Sequence, residues 1–398
     1  MVDVAREQWY QGTGGEGGTQ SERRRFVKAV CVVAAAVTVL ASIWYPAIRA
    51  SGTGTPGSYQ VVGTHVVDPN GNRFVPYGFV VECLASVSLT CAVPGARLPA
   101  PDLREIQAAA VTWHSNIVRL QVSQEHLFDQ SPYDATYLAQ VDAAVNEANS
   151  LGMIAIVSLQ EEQYNGPVMP TATAVAFWNV VAAHYATNPM VFFDLYNEPR
   201  LTVAAAGGED ILWNVWRNGG TVGGVTYVGM QTLLDVVRAT GAQNIVMAEG
   251  NTFATALIGV PLWSLTGTNV VYGVKPVIAG SYVNPSAWDA AFGAVSSKVA
   301  VFPQAFTDNL QSNSCQPNSP TIVPALLSYL GSIQLGLIDY SLSAGNATVA
   351  GSNYLTPTSY PSSTISCAPG LPTDPTNTVG DGQDLLNWYQ ANSHPAVP

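Results

Sequence analysis

Charge is scarce in this 398-residue chain: Asp, Glu, Lys and Arg together make up 11% of it, against 47% hydrophobic residues. Soluble domains carry roughly a quarter charged residues, so this balance excludes a disordered polyelectrolyte and implies a large buried core. What charge there is leans negative, with 15 Lys and Arg against 27 Asp and Glu. Six of those basic and four of those acidic side chains fall in residues 1–50, so the remainder is 14 net negative. Such a surface lacks the Lys/Arg footprint on which DNA or RNA affinity rests, and nucleic-acid binding is excluded as the main activity. Histidine and cysteine are equally sparse, five of each. With no CxxC pair and no His-rich cluster, no metal site is indicated, and nothing implies an organic cofactor. The 35 Gly and 26 Pro are ordinary loop usage, which excludes a collagen.

Arg23, Arg24, Arg25 and Lys28 precede an uncharged apolar stretch from Ala29 to Tyr45. A basic flank stays cytoplasmic, so residues 1–25 read as a cytoplasmic tail and 26–45 as a single transmembrane helix, with everything beyond it outside the membrane. A cleaved signal peptide ending near Val39-Leu40-Ala41 is the rival reading, and the barrel domain would then be secreted. Residues 46–57, rich in Gly, Ser, Thr and Pro, form a flexible linker, and 58–398 the folded domain. Cys31 lies in the apolar run, leaving Cys83, Cys91, Cys315 and Cys367 outside. Sequence proximity favours Cys83 with Cys91 and Cys315 with Cys367; free buried thiols are the alternative.

Tyr59 to Pro76 alternates around Asp68-Pro69-Asn70-Gly71, a turn sequence that predicts an N-terminal β-hairpin. Strand-sized apolar runs follow at Phe74–Val81, Ile117–Val122, Met153–Leu159, Val191–Tyr196, Asn244–Ala248, Asn269–Val274, Val299–Phe302 and Leu335–Tyr340. Between them, Leu138–Ser150, Ala174–Thr187 and Val228–Thr240 show helical spacing. Strand and helix in repeated alternation predict an α/β fold, a parallel (β/α)8 TIM barrel. An open doubly wound sheet is the runner-up, but no Gly-rich phosphate loop follows an early strand. Gly345 to Pro375, dominated by Ser, Thr, Pro and Asn and containing the sequon Asn346-Ala347-Thr348, reads as a covering loop held by Cys367. Gln383–Gln390 reads as the closing helix.

In such a barrel the active site lies at the carboxyl ends of the strands. That rule nominates Glu82, Arg119, Glu125, Glu161, Glu162, Asn197, Glu198, Glu249, Lys275, Gln304, Asp308 and Asp339. The sharpest stretch is Val191-Phe-Phe-Asp-Leu-Tyr-Asn-Glu-Pro-Arg200, a buried strand ending in an amide, a carboxylic acid and a proline. It resembles the fourth-strand signature of glycoside hydrolase family 5, the cellulase-like family of a larger barrel clan. Phe177-Trp178, His184-Tyr185 and Asn188-Pro189 are similar to the helix before that strand, and Asn116-Ile-Val-Arg-Leu120 to the second-strand arginine segment. Tyr227 to Gln231, Val237 to Ile245, and Trp288 with Phe292-Gly293 extend the likeness over most of residues 60–390.

The resemblance implies a hydrolase of O-glycosidic bonds in a polysaccharide or glycoconjugate. It gives Glu198 the role of general acid/base, Asn197 that of hydrogen-bond partner to a sugar 2-hydroxyl, and Arg119 that of the cation supporting the nucleophile. The pattern then breaks. Gln304, in Val299-Ala-Val-Phe-Pro-Gln304, stands where the family has its nucleophilic glutamate, and an amide cannot take that role. Lys275-Pro276-Val277 replaces the family's His and Tyr after the sixth strand, the third-strand His is absent from Ser158-Leu-Gln-Glu-Glu162, and Ile338-Asp339-Tyr340 stands where the eighth-strand Trp is expected. A glycosidase therefore needs a second carboxylate from Glu249, Glu161, Glu162, Asp308 or Asp339, and Gln304→Glu is expected to raise retaining activity. The alternative is an inactive carbohydrate-binding pseudoglycosidase at the cell surface, and a third reading is a purely structural envelope protein. Lys275 and Glu249 are expected among the substrate-binding groups, and Trp213 and Trp216 as sugar-stacking rings, with helix packing as their alternative role. The expected partners are a carbohydrate and, through the N-terminal helix, the membrane, with the chain a monomer.

Overall fold

The computed structural model describes residues 57–87, 97–160, 166–278, 282–308, 315–343, 347–367 and 378–398. The expected transmembrane helix, the sequon's Asn346, Cys91, Glu161 and Glu162 lie outside the described residues. Among the described residues no helix is long and apolar enough to cross a membrane.

The expected hairpin forms and gains a third strand. β1 (Gln60–Val62), β2 (His65–Val67) and β3 (Arg73–Phe74) make an antiparallel sheet. The Asp68 carboxylate accepts from the N–H groups of Asn70 (2.9 Å) and Asn72 (2.8 Å), an Asx turn that fixes the β2–β3 register. This sheet covers the amino-terminal end of the barrel: the Tyr59 ring packs edge-on against Phe74 at 5.2 Å and against Phe192, from inside the barrel, at 5.5 Å.

Eight parallel strands close the barrel: β4 (Tyr77–Val81), β5 (Ile117–Ser123), β6 (Ile154–Gln160), β7 (Val191–Asp194), β10 (Val246–Glu249), β11 (Val270–Val274), β12 (Val301–Phe306) and β13 (Leu337–Asp339). A two-stranded ribbon, β8 (Gly220–Val222) with β9 (Val225–Tyr227), interrupts the alternation. Every expected run supplies a barrel strand. The first expected run divides, because Pro76 has no N–H to give a ladder: Phe74 stays with β3 and the barrel strand starts at Tyr77. Helices Leu103–Val111, Ala135–Ser150, Ala172–Tyr185, Met230–Ala239, Ser319–Ser332 and Gly382–Asn392 account for the helical runs. Asp102 and Asp134 cap the first two, accepting from the N–H groups of Arg104 and of Thr136 and Tyr137.

Strand alternation splits the apolar residues into two layers. Phe79, Leu120, Val157 and Phe193 face the helices. Val80, Ile117, Ile156, Phe192, Met247, Val271, Phe302 and Ile338 fill the barrel interior with Tyr59, Val66 and Phe74. A residue two positions further along each strand lies on the same inner face, one layer nearer the carboxyl end. Sequence parity thus decides which polar groups meet there.

The described part of the covering loop packs on the barrel's flank. Val349 bridges Pro357, the Trp113 indole N–H donates to the Tyr354 carbonyl at 2.7 Å, and Cys315 is bonded to Cys367 as expected. Cys83 is also disulfide-bonded.

Candidate active site

On the inner face, the side chains one layer above the apolar floor are Arg119, Ser158, Asp194, Glu249, Gln304 and, just past their strand ends, Glu82, Lys275 and Tyr340. Arg119 is fully buried and donates five hydrogen bonds to four partners. Its Nη2 lies 2.6 Å from Asp194 Oδ2, 2.7 Å from Glu249 Oε1, 2.8 Å from Ser158 Oγ and 2.8 Å from Asn197 Oδ1. Its Nε adds a 3.0 Å bond to the same Asp194 oxygen. One guanidinium thus ties strands β6, β7 and β10 together. The Ser158 hydroxyl also donates to Asp194 Oδ2 at 2.8 Å.

Glu249 takes the centre. Its Oε1 accepts from Arg119 and from Gln304 Nε2, each at 2.7 Å, and its Oε2 accepts from the backbone N–H of Glu198 at 2.7 Å. The room for its side chain comes from Gly273, its register partner on β11, where a Cβ would stand 3.1 Å from Glu249 Cγ and 3.0 Å from Met247 Sδ. Burial first, and then the Asp194 charge, push the Glu249 carboxyl up to about 7 against Lys275, Arg119 and the Glu198 N–H.

Glu198 sits above this layer in a left-handed backbone conformation, φ +56°, which is uncommon for a residue with a side chain and is sustained here by the clamp on Glu249. Its side chain is 31% exposed, and Lys275 Nζ lies 2.6 Å from Oε1 and 3.2 Å from Asn197 Oδ1. Burial pushes the Glu198 carboxyl up, but Lys275, with Arg119 and Arg200 behind it, overcomes burial and holds it below the usual carboxylate range. Lys275 is itself positioned through its backbone. Its N–H donates to Ala254 at 2.8 Å, and the N–H of Phe253 donates to Pro199 at 2.8 Å, within a turn where Thr252, Phe253 and Ala254 all have positive φ.

The expected residues therefore converge only in part. Asn197, Glu198, Lys275, Arg119, Glu249 and Gln304 form one connected group. Glu249, expected to bind substrate, is instead sealed with both oxygens occupied, and Gln304 is equally buried. Trp213 and Trp216 are corrected as well. Both are buried, stacked edge-on at 5.4 Å, and the Trp216 indole donates to the Glu249 carbonyl at 2.9 Å, so they brace the strand end and present no ring to a sugar. Asp339 has the opposite parity and points to the helices, where it accepts from Thr348 at 2.6 Å. Asp308 accepts from Ser319 and Tyr360, and Glu125 from the Ser123 hydroxyl at 3.1 Å.

Ser158 and Asp194 belong to the group, Tyr340 stands beside it on the same inner face, and none of the three was singled out from the sequence. Each lies two residues beyond an inner-face apolar residue (Ile156, Phe192, Ile338), which is the signal that finds them. The Tyr340 hydroxyl donates to Glu82 Oε2 at 2.5 Å, and the Ser341 hydroxyl to Glu82 Oε1 at 3.4 Å. The eighth strand therefore does bring an aromatic residue to the barrel mouth.

Known proteins share this architecture. A beta-glucanase of Saccharophagus degradans superposes with a TM-score of 0.59 at 17% identity, covering 77% of this chain and 90% of that one. A beta-mannanase of Streptomyces thermolilacinus, solved with mannohexaose, gives 0.57 at 16% identity over 85% and 97%. At these identities the likeness is one of fold. By sequence, a probable endo-beta-1,4-glucanase B of Aspergillus oryzae is 26% identical over 160 residues, 39% of this chain and 40% of the relative. An endo-beta-1,4-glucanase A of Emericella nidulans is 26% identical over 147 residues, 35% and 39%. The chain thus matches about two-fifths of the length of these relatives. The sequence profile described as Cellulase (glycosyl hydrolase family 5) matches residues 90–310, more than half of the chain and six of its eight barrel strands. With Arg119, Asn197 and Glu198 inside that span, the chain belongs to glycosyl hydrolase family 5.

Proposed function

We propose that the protein is a glycosidase acting on O-glycosidic bonds of a polysaccharide or glycoconjugate, with Glu198 as its general acid/base. The observation that carries this reading is the placement of Glu198. It is the carboxyl group of the inner cluster that reaches solvent, it stands at the carboxyl end of the fourth barrel strand, and its backbone and side chain are fixed by Glu249 and Lys275. A glycosidic oxygen must be protonated as it leaves, and a positioned carboxyl contributes about 10²- to 10⁴-fold to that step. Asn197 Oδ1 is taken by Arg119 and Lys275, so its amide N–H groups are what it offers to a sugar hydroxyl. The endo-glucanase and mannanase names of the similar proteins suggest β-linked glucans and mannans as first substrates. Tethering by residues 26–45, with the barrel outside the membrane, and a monomeric state belong to the same proposal.

One observation favours a second reading. The resemblance puts Gln304 where the family has its nucleophile, and the carboxyl group it bonds, Glu249, is sealed. A cleft that binds glycans without turning them over would have this composition. The two readings separate on one experiment: purified protein is given a panel of β-glucans, β-mannans and glycoconjugates, with Glu198→Ala beside it. Product formation abolished by the substitution supports the glycosidase. Saturable binding with no product at high protein concentration supports the pseudoglycosidase.

A further inference from the structure

The structure assigns a replacement for the missing nucleophile: Tyr340, with Glu82 as its base. This rests on the glycosidase reading and deepens it. Asp194, Glu249 and Gln304 are each 0% exposed, so none of them can reach an anomeric carbon from where they stand. Tyr340 is partly exposed, packs against the cluster that fills the barrel interior, and lies on the strand next to Gln304, its N–H donating to Phe306 at 2.8 Å. Gln304 pairs in register with Ile338, two residues before Tyr340 on the same face. Tyr340 thus stands on the inner face one strand from Gln304, with its hydroxyl turned toward Glu82, just past the end of β4.

Its surroundings are those of an activated hydroxyl. The 2.5 Å contact from Tyr340 Oη to Glu82 Oε2 is in the range of a charge-assisted O–H···O⁻ bond. The other Glu82 oxygen accepts from Ser341, so nucleophile, base and orienting group form a chain of the kind that marks covalent catalysis.

In the first step the protonated Glu198 carboxyl gives its proton to the glycosidic oxygen and the bond from that oxygen to the anomeric carbon breaks. Tyr340 Oη bonds to the anomeric carbon, and the phenolic proton passes to Glu82. In the second step water attacks the anomeric carbon and loses a proton to the Glu198 carboxylate. The bond to Tyr340 Oη breaks, and the phenolate recovers its proton from Glu82. Two displacements leave the anomeric configuration unchanged.

The test uses the full chain and whichever glycan of the panel it cleaves. The first readout is the anomeric configuration of the nascent product by proton NMR; retention is expected, and inversion overturns the assignment. The second is Tyr340→Phe, which keeps the ring: kcat should fall by about 10³-fold with KM changed less than threefold and the melting temperature held. An unchanged kcat overturns the assignment. Glu82→Gln should lower kcat with KM and the melting temperature held, and Glu82→Asp should recover part of that loss, a split that a purely structural role would not produce. Slow turnover of a 2-deoxy-2-fluoroglycosyl fluoride of the matching sugar, followed by peptide mass spectrometry, should put the label on Tyr340; a label on any other residue overturns it. If the unaltered chain cleaves no glycan, the glycosidase reading itself fails and this assignment with it.

Discussion

In the resting site Lys275 Nζ stands 2.6 Å from Glu198 Oε1, and the ammonium keeps the carboxyl ionised. A general acid must carry a proton before it can give one, so activity should fall as pH rises through the Glu198 pKa. Lys275 sets that pKa low. Lys275→Met removes the opposing charge and leaves burial to push the carboxyl up, so the alkaline limb of kcat/KM on an oligosaccharide should move to higher pH. A limb that stays in place would show that the ion pair does not govern the proton. Gln304 calls for a revised expectation. From the sequence, Gln304→Glu restores a family nucleophile; in the structure it sets a second carboxylate 2.7 Å from Glu249 Oε1 in a fully buried layer. Loss of about 3 kcal/mol in urea unfolding is expected instead, with no gain in activity, and Gln304→Glu combined with Glu249→Gln should restore most of the stability. Equal stability of the single substitution and the unaltered chain would contradict that account.

The elements explain why some of the site was legible and some was not. The eight apolar runs correspond to the barrel strands, and the run ending in Asn197-Glu198-Pro199 marks the site by its residue types alone. Which neighbours join it depends on parity within strands of three to seven residues. Arg119, Ser158, Asp194 and Glu249 face inward while Asp339, on β13, faces the helices. Gln304 and Ala305 both face inward because β12 carries a bulge there, with Ala305 at φ +49°. No sequence pattern announces that irregularity. The tryptophans misled for a similar reason: Trp213 and Trp216 lie on the buried stripe of helix Glu209–Asn218, whose exposed members are polar apart from Ile211. At the flank, the Cys315–Cys367 bond closes a 52-residue separation and ties the loop after β12 to the covering segment. Replacing both cysteines by serine should lower stability by about 2–4 kcal/mol in denaturant unfolding. No measurable loss would show that the segment is held by its other contacts, such as Trp113 to Tyr354.

Across the whole molecule, the acidic composition read from the sequence has a counterpart in the buried carboxyl groups. Asp308, Asp339 and Asp381 cluster between β12, β13, the covering segment and helix Gly382–Asn392. Burial pushes Asp308 and Asp339 up to about 7, and burial with the charges of Asp339 and Asp308 pushes Asp381 well above its usual range. Such groups hold protons when folded that they release when unfolded. Their contribution is intact below the unfolded carboxylate range near 4 and is lost as pH rises toward about 7. The melting temperature should therefore be higher at about pH 5 than at about pH 8, and Asp381→Asn should flatten that difference; a melting temperature that climbs from pH 5 to pH 8 would contradict it. Neither the cluster nor its sign could be read from composition, since the three residues come from different parts of the chain and meet only through packing.

The central claim is that Glu198 transfers the proton that releases a sugar from this barrel. Its most direct test is the rate of product formation by Glu198→Gln beside the unaltered chain, on one glycan both bind, with the fold of each verified by circular dichroism. The account predicts a fall of about 10³-fold in kcat with binding preserved. Comparable rates from the two proteins would contradict it.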